Sequence, residues 1–112
     1  MKHKFPLPQE KKLTVIFRVE SGNLGPTGDQ RIDEFCEFAR KEVEYIDSDF
    51  VHWELRPRNN KSLPEMEYTL NNKKLSHEKA ARYLQLFDKN LNEFEEHFHE
   101  KLVQIIEQFM GR

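Results

Sequence analysis

The chain has 112 residues, of which 37% are hydrophobic and 12% aromatic, and a formal net charge of −2. That length fits one domain, since two halves would each bury too little surface to be stable. The near-neutral balance gives no global attraction to nucleic acid or anionic membrane, and the single cysteine, Cys36, excludes an intrachain disulfide.

Residues 1–12 carry Pro6 and Pro8 among lysines and read as an extended N-terminal arm ahead of a single α+β domain over 13–112. The arm lacks the apolar stretch of a signal peptide, and no apolar run exceeds three residues (Val15, Ile16, Phe17). A cytoplasmic protein with no membrane partner is therefore expected. Residues 13–20 alternate Leu13, Val15, Phe17 and Val19 on one face and predict a strand. After a glycine-bearing loop, Thr27 and Gln30 match a capping box, and Ile32, Phe35, Cys36, Ala39, Val43 and Ile46 predict an amphipathic helix over 27–46.

Residues 50–56 alternate again through Val51, Trp53 and Leu55, and Met66, Tyr68 and Leu70 predict the next strand. Asn71-Asn72 suits a two-residue turn with positive φ, leading into a very short strand from Lys73 to Leu75. Ser76 is the expected N-cap of the C-terminal helical segment. Ala80, Leu84, Phe87, Leu91, Phe94, Phe98, Leu102, Ile105 and Phe109 recur at steps of three and four, an apolar stripe over 76–110 that Gly111 closes. The order β-α-β-β-(β)-α predicts an α+β fold: a small, mostly antiparallel sheet covered by one amphipathic helix and a long C-terminal helix.

An unbroken helix of that length would run roughly 50 Å. A compact domain of this size is only about 35 Å across. The helix either breaks at DKNLNEF (88–94), where Asn90 and Asn92 are good caps and Asn92 with Glu95 makes a capping pattern, or it overhangs. Overhang would expose Phe94, Phe98, Leu102, Ile105 and Phe109, and a second copy is the simplest cover, so a homodimer through this stripe is expected. With a break, the same residues complete a monomeric core.

The loop RVESGNLGPTGDQRIDEF holds three of the four glycines, yet it matches neither phosphate-binding pattern. Asp29 follows Gly28 where a P-loop needs lysine, and G-x-x-G-x-x-G is not the dinucleotide spacing. A plain strand-to-helix connection is expected. His97 and His99 stand among Glu93, Glu95, Glu96 and Glu100, but two residues apart on a helix they point in opposite directions and cannot share a metal. Cys36 lies on the apolar stripe of the first helix as a structural thiol. No catalytic signature is present, no cofactor or metal is expected, and the balance leans away from an enzyme.

Charge is unevenly distributed. Residues 56–82 hold Arg56, Arg58, Lys61, Lys73, Lys74, Lys79 and Arg82 against three glutamates, while 29–54 hold nine acidic residues against three basic ones. The segment KKLSHEKAARYL, after a helix and two or three strands, is similar to a double-stranded RNA-binding domain, whose last helix offers lysines to phosphates. The glycine-bearing run that precedes those lysines in that family is absent here. Two functions remain in view: a small interaction or accessory protein that binds a protein partner, and, as the alternative, nucleic-acid or anionic-ligand binding at the basic residues of 56–82.

Overall fold

The computed structural model describes residues 4–111. Its elements are β1 (Leu13–Val19), α1 (Gly28–Val43), β2 (Val51–Pro57), β3 (Met66–Leu70), β4 (Lys73–Leu75), α2 (His77–Gln85) and α3 (Leu91–Met110), with short 3-10 turns at Gln9–Lys11 and Ser21–Leu24. The four strands form one mixed sheet in the order β2-β1-β3-β4. β1 runs parallel to β2 and antiparallel to β3, and β3 is antiparallel to β4. Two of the three pairings are thus antiparallel, and the parallel one results from the α1 crossover between β1 and β2.

The alternation in the strands puts Leu13, Val15, Phe17, Val19, Val51, Trp53, Leu55 and Tyr68 into one buried core with Phe35, Ala39 and Val43 of α1 and Ala80 and Leu84 of α2. Trp53 is the centre of that core. Its ring stacks on Phe94 at 5.4 Å and Phe98 at 4.8 Å, and its indole N–H donates to the Ile46 carbonyl at 2.9 Å. Phe17 meets Phe98 edge-on at 5.0 Å. At the other end of the sheet, Phe50 stacks on Phe87 at 4.4 Å.

Local chemistry sets most boundaries. α1 begins at Gly28 but Thr27 caps it without a side-chain bond; its carbonyl takes the Gln30 N–H at 3.1 Å instead, so the expected capping box does not form. α1 also ends at Val43 rather than 46, because Asp47 turns the chain with φ 49°. In the glycine loop, Gly25 adopts φ 85°, and a Cβ on Gly28 would lie 1.8 Å from the Ser21 carbonyl oxygen. These two glycines serve a turn and a close approach, which is the connection the sequence predicts.

The C-terminal segment breaks. Asp88 takes φ 59°, the Lys89 N–H returns to the Leu84 carbonyl, and Asn90 caps α3 by accepting from Glu93 N–H at 3.1 Å. The cap is therefore Asn90, two residues before the Asn92–Glu95 pattern. Gly111 closes α3 in the left-handed conformation. Folded back, α3 lays Phe94, Phe98, Leu102 and Ile105 into the core at no more than 6% exposure, with Phe109 half-buried against Phe35 and Phe38. Phe94, Phe98, Leu102 and Ile105 of the stripe on which a dimer is expected are thus covered by the chain's own sheet and α1, and Phe109 stays half-buried. No helix among the described residues is long and apolar enough to cross a membrane.

Candidate functional site

All three helices pack on one face of the sheet, and the opposite face carries Thr14, Ile16 and Arg18 of β1, His52, Glu54 and Arg56 of β2, Glu67 and Thr69 of β3 and Lys74 of β4. These charges largely answer one another. Arg18 meets Glu67 at 3.1 Å and donates to the Pro64 carbonyl at 2.8 Å, Arg56 pairs with Glu54, and His52 lies 3.8 Å from the same Glu54. The face is a matched ladder of both signs.

The basic residues of 56–82 fall into two groups, Arg56, Arg58 and Lys61 at one end of the sheet and Lys73, Lys74, Lys79 and Arg82 on β4 and α2. Arg58 is bound into the β2–β3 loop, with Glu20 at 2.5 Å and the Leu63 carbonyl at 3.1 Å. Arg56 is paired on the sheet, and Arg82 pairs with Glu78 one turn away at 2.7 Å. Lys61, Lys73, Lys74 and Lys79 are exposed, and their side chains have no ion pair among the described residues. Register separates them. The Arg58 N–H bonds the Val19 carbonyl at one end of β1, whereas Lys73 lies opposite Leu70, itself opposite Leu13 at the other end. The sheet beside the lysines of β4 and α2 is four-stranded and mixed, not the three-stranded unit of a double-stranded RNA-binding domain.

A different place gathers chemistry. β4 is only three residues long, because Ser76 accepts the Lys79 N–H at 3.1 Å and turns the chain up into α2. The hairpin register runs Leu70↔Lys73 and Tyr68↔Leu75, so the next partner, opposite Met66, would be His77, which is already helical. The Arg18 N–H bonds the Glu65 carbonyl at 2.7 Å, which turns the backbone groups of Glu65, Glu67 and Thr69 toward β1. Those of Met66 therefore face away from β1, and neither its N–H nor its C=O has a partner among the described residues.

Those two groups border a cleft of about 290 Å³ between the β3 edge, the β4–α2 junction and α3, lined by Pro64, Met66, Tyr68, Leu75, His77 and Glu95 among others. Tyr68 is 4% exposed, and its hydroxyl donates to Glu95 Oε2. Burial, then the Glu95 carboxylate, pushes the Tyr68 phenol well above its ordinary range, so it stays a neutral donor. His77 Nε2 lies 3.5 Å from the same oxygen. Glu95 Oε1 is left without a partner among the described residues. The Glu95 carbonyl accepts from His99 Nδ1 at 2.8 Å, one turn along the same helix. Glu67 and Lys74 reach the cleft from the open side of the sheet, and Glu67 is neutralised by Arg18.

The other sequence candidates lie apart. His97 lines a separate cleft of about 350 Å³ with Asp47, Asp88, Lys89 and Glu93, where Lys89 pairs with Asp47 at 3.4 Å. No group of three or more His, Cys, Asp or Glu among the described residues is placed to hold a metal ion. Cys36 is 6% exposed, and burial together with nearby Asp33 raises its thiol pKa to about 12, which keeps it a thiol rather than a nucleophilic thiolate. Comparison with protein-family models, curated proteins and solved structures gives no match.

Proposed function

We propose that the protein binds a partner protein by accepting an extended segment of it as an added strand at the β3 edge. One observation carries this reading: the unpaired N–H and C=O of Met66 open onto a side-chain-lined cleft. Strand addition takes its affinity from such main-chain pairs and its selectivity from neighbouring side-chain sites. The matched charges of the open sheet face make a uniform phosphate backbone a poor ligand for that face. Catalysis has less support, since the Tyr68 phenol is held neutral as a donor to Glu95.

The test uses a photo-crosslinking residue placed in the source cells at exposed Lys74, on the cleft rim, or at exposed Val103 on α3. The expected outcome is one protein captured from position 74 and absent from position 103, with the crosslink in a non-helical segment. Equal capture from both positions, or capture of nucleic acid, defeats the reading.

A further inference from the structure

We infer that the cleft beside Met66 selects a segment carrying a cationic side chain, lysine or arginine, at the position opposite Met66. This deepens the strand-addition reading and rests on it. An added strand that exchanges both backbone bonds with Met66 places the side chain of its opposing residue on the same side of the sheet as the Met66 side chain. That is the side of Tyr68, since residues two apart share a face, and it is where α3 supplies Glu95.

Three features of that position favour a cation on an aliphatic stem. The walls are apolar, formed by Met66, Leu75 and Pro64, and suit methylene groups. The carboxylate beyond them, Glu95, is only 24% exposed, so a charge pair there is less screened than on an open surface. Its Oε2 is occupied by the Tyr68 hydroxyl with His77 nearby, which holds the carboxylate in place and leaves Oε1 to accept from the incoming group. His77 faces Glu95 at Oε2, and the other neighbouring charges are directed elsewhere. Glu67 is matched by Arg18, and Lys74 pairs in register with Thr69, which puts its side chain on the open face with Glu67 rather than with Tyr68. His99 stands 3.9 Å from Glu65, on the next turn of α3.

The probes are blocked tripeptides, acetyl-Val-Lys-Val-amide and its norleucine counterpart, titrated into the isotope-labelled full chain and monitored at the Met66 amide by NMR. Butylammonium chloride is titrated in parallel. The lysine peptide is expected to shift the Met66 amide, slow its hydrogen exchange, and bind at least fivefold more tightly than the norleucine peptide. Glu95→Gln, which keeps an acceptor for Tyr68, is expected to abolish that preference while the Met66 shift remains. Its amide spectrum reports directly that the variant is folded.

Equal binding of the two peptides, or a lysine preference that survives Glu95→Gln, overturns the cation assignment and leaves strand addition standing. Butylammonium binding as tightly as the lysine peptide overturns the peptide as occupant. Absence of any Met66 shift with either peptide overturns strand addition itself, and the cation assignment with it.

Discussion

The two edges of the sheet present unpaired backbone in different ways. On β2, the bonds from Leu13 N–H to the Phe50 carbonyl and from Arg58 N–H to the Val19 carbonyl turn the even-numbered residues toward β1. The odd-numbered ones face outward. Their row is closed at both ends: the Val51 N–H is taken by the Asp47 carbonyl, and Pro57 has no N–H to give. The N-terminal arm adds a third closure, because the Leu7 N–H bonds the Asp49 carbonyl just before the strand.

What stays open on β2 is Trp53 and Leu55. The antiparallel self-pairing that would use all four of their groups sets Glu54 opposite Glu54 in a second copy, which the like charges disfavour. On β3 the opening is one residue long, yet it lies in a cleft with a positioned carboxylate. A long edge guarded by a proline, an arm and charge differs from a short edge furnished with side chains. The first disfavours edge-to-edge pairing, and the second is the edge at which strand addition is proposed.

Substitutions on either side of the sheet put this contrast to the test. The largest loss belongs to Trp53→Ala, which empties the core behind the guarded edge and costs about 3–5 kcal/mol in urea unfolding. A loss below about 1 kcal/mol would mean that β2 does not depend on the Trp53–Phe94–Phe98 stack.

Next comes a pair of prolines one residue apart. Glu67→Pro removes an N–H that faces β1 along with the Arg18 pair, so a loss of about 3 kcal/mol is expected. Met66→Pro removes an outward N–H and trims a half-buried side chain, and should cost about 1–2 kcal/mol, less than Glu67→Pro, while abolishing peptide binding at the cleft. Equal losses for the two variants would show that the register assigned to β3 is wrong.

The mildest change is Glu54→Gln, which relieves the like-charge contact in the self-paired register. Association by light scattering at high concentration should strengthen by about two- to fivefold. No change would show that proline and arm, rather than charge, guard the edge.

Much of the architecture could be read from residue order. Period-two alternation located β1, β2 and β3 within a residue or so, and the Asn71-Asn72 pair marked a turn in which both residues have positive φ, 50° and 65°. The cleft was partly legible too. A two-residue turn fixes Leu70 opposite Lys73 and Tyr68 opposite Leu75, and Ser76 as a cap then leaves Met66 without a partner. That deduction needs the hairpin register carried one step past the last strand residue. Glu95 and His77, by contrast, were invisible as neighbours because they belong to different helices. Contiguous charge is not one patch either: Arg58 and Lys73 are close in sequence, yet the register puts them at opposite ends of the sheet.

Periodicity, turn chemistry and capping act over a few residues, so residue order alone suffices for the elements, their buried faces and most of their caps. What the C-terminal stripe covers is settled at longer range. Spacing makes Phe94, Phe98, Leu102 and Ile105 apolar on one side, but the reversal between Asp88 and Asn90 directs that side onto Trp53 rather than outward. The same reversal carries Glu95 to Tyr68 across 27 residues of chain. A contact of that kind depends on how α3 lies against the sheet, and packing of the whole core fixes that position.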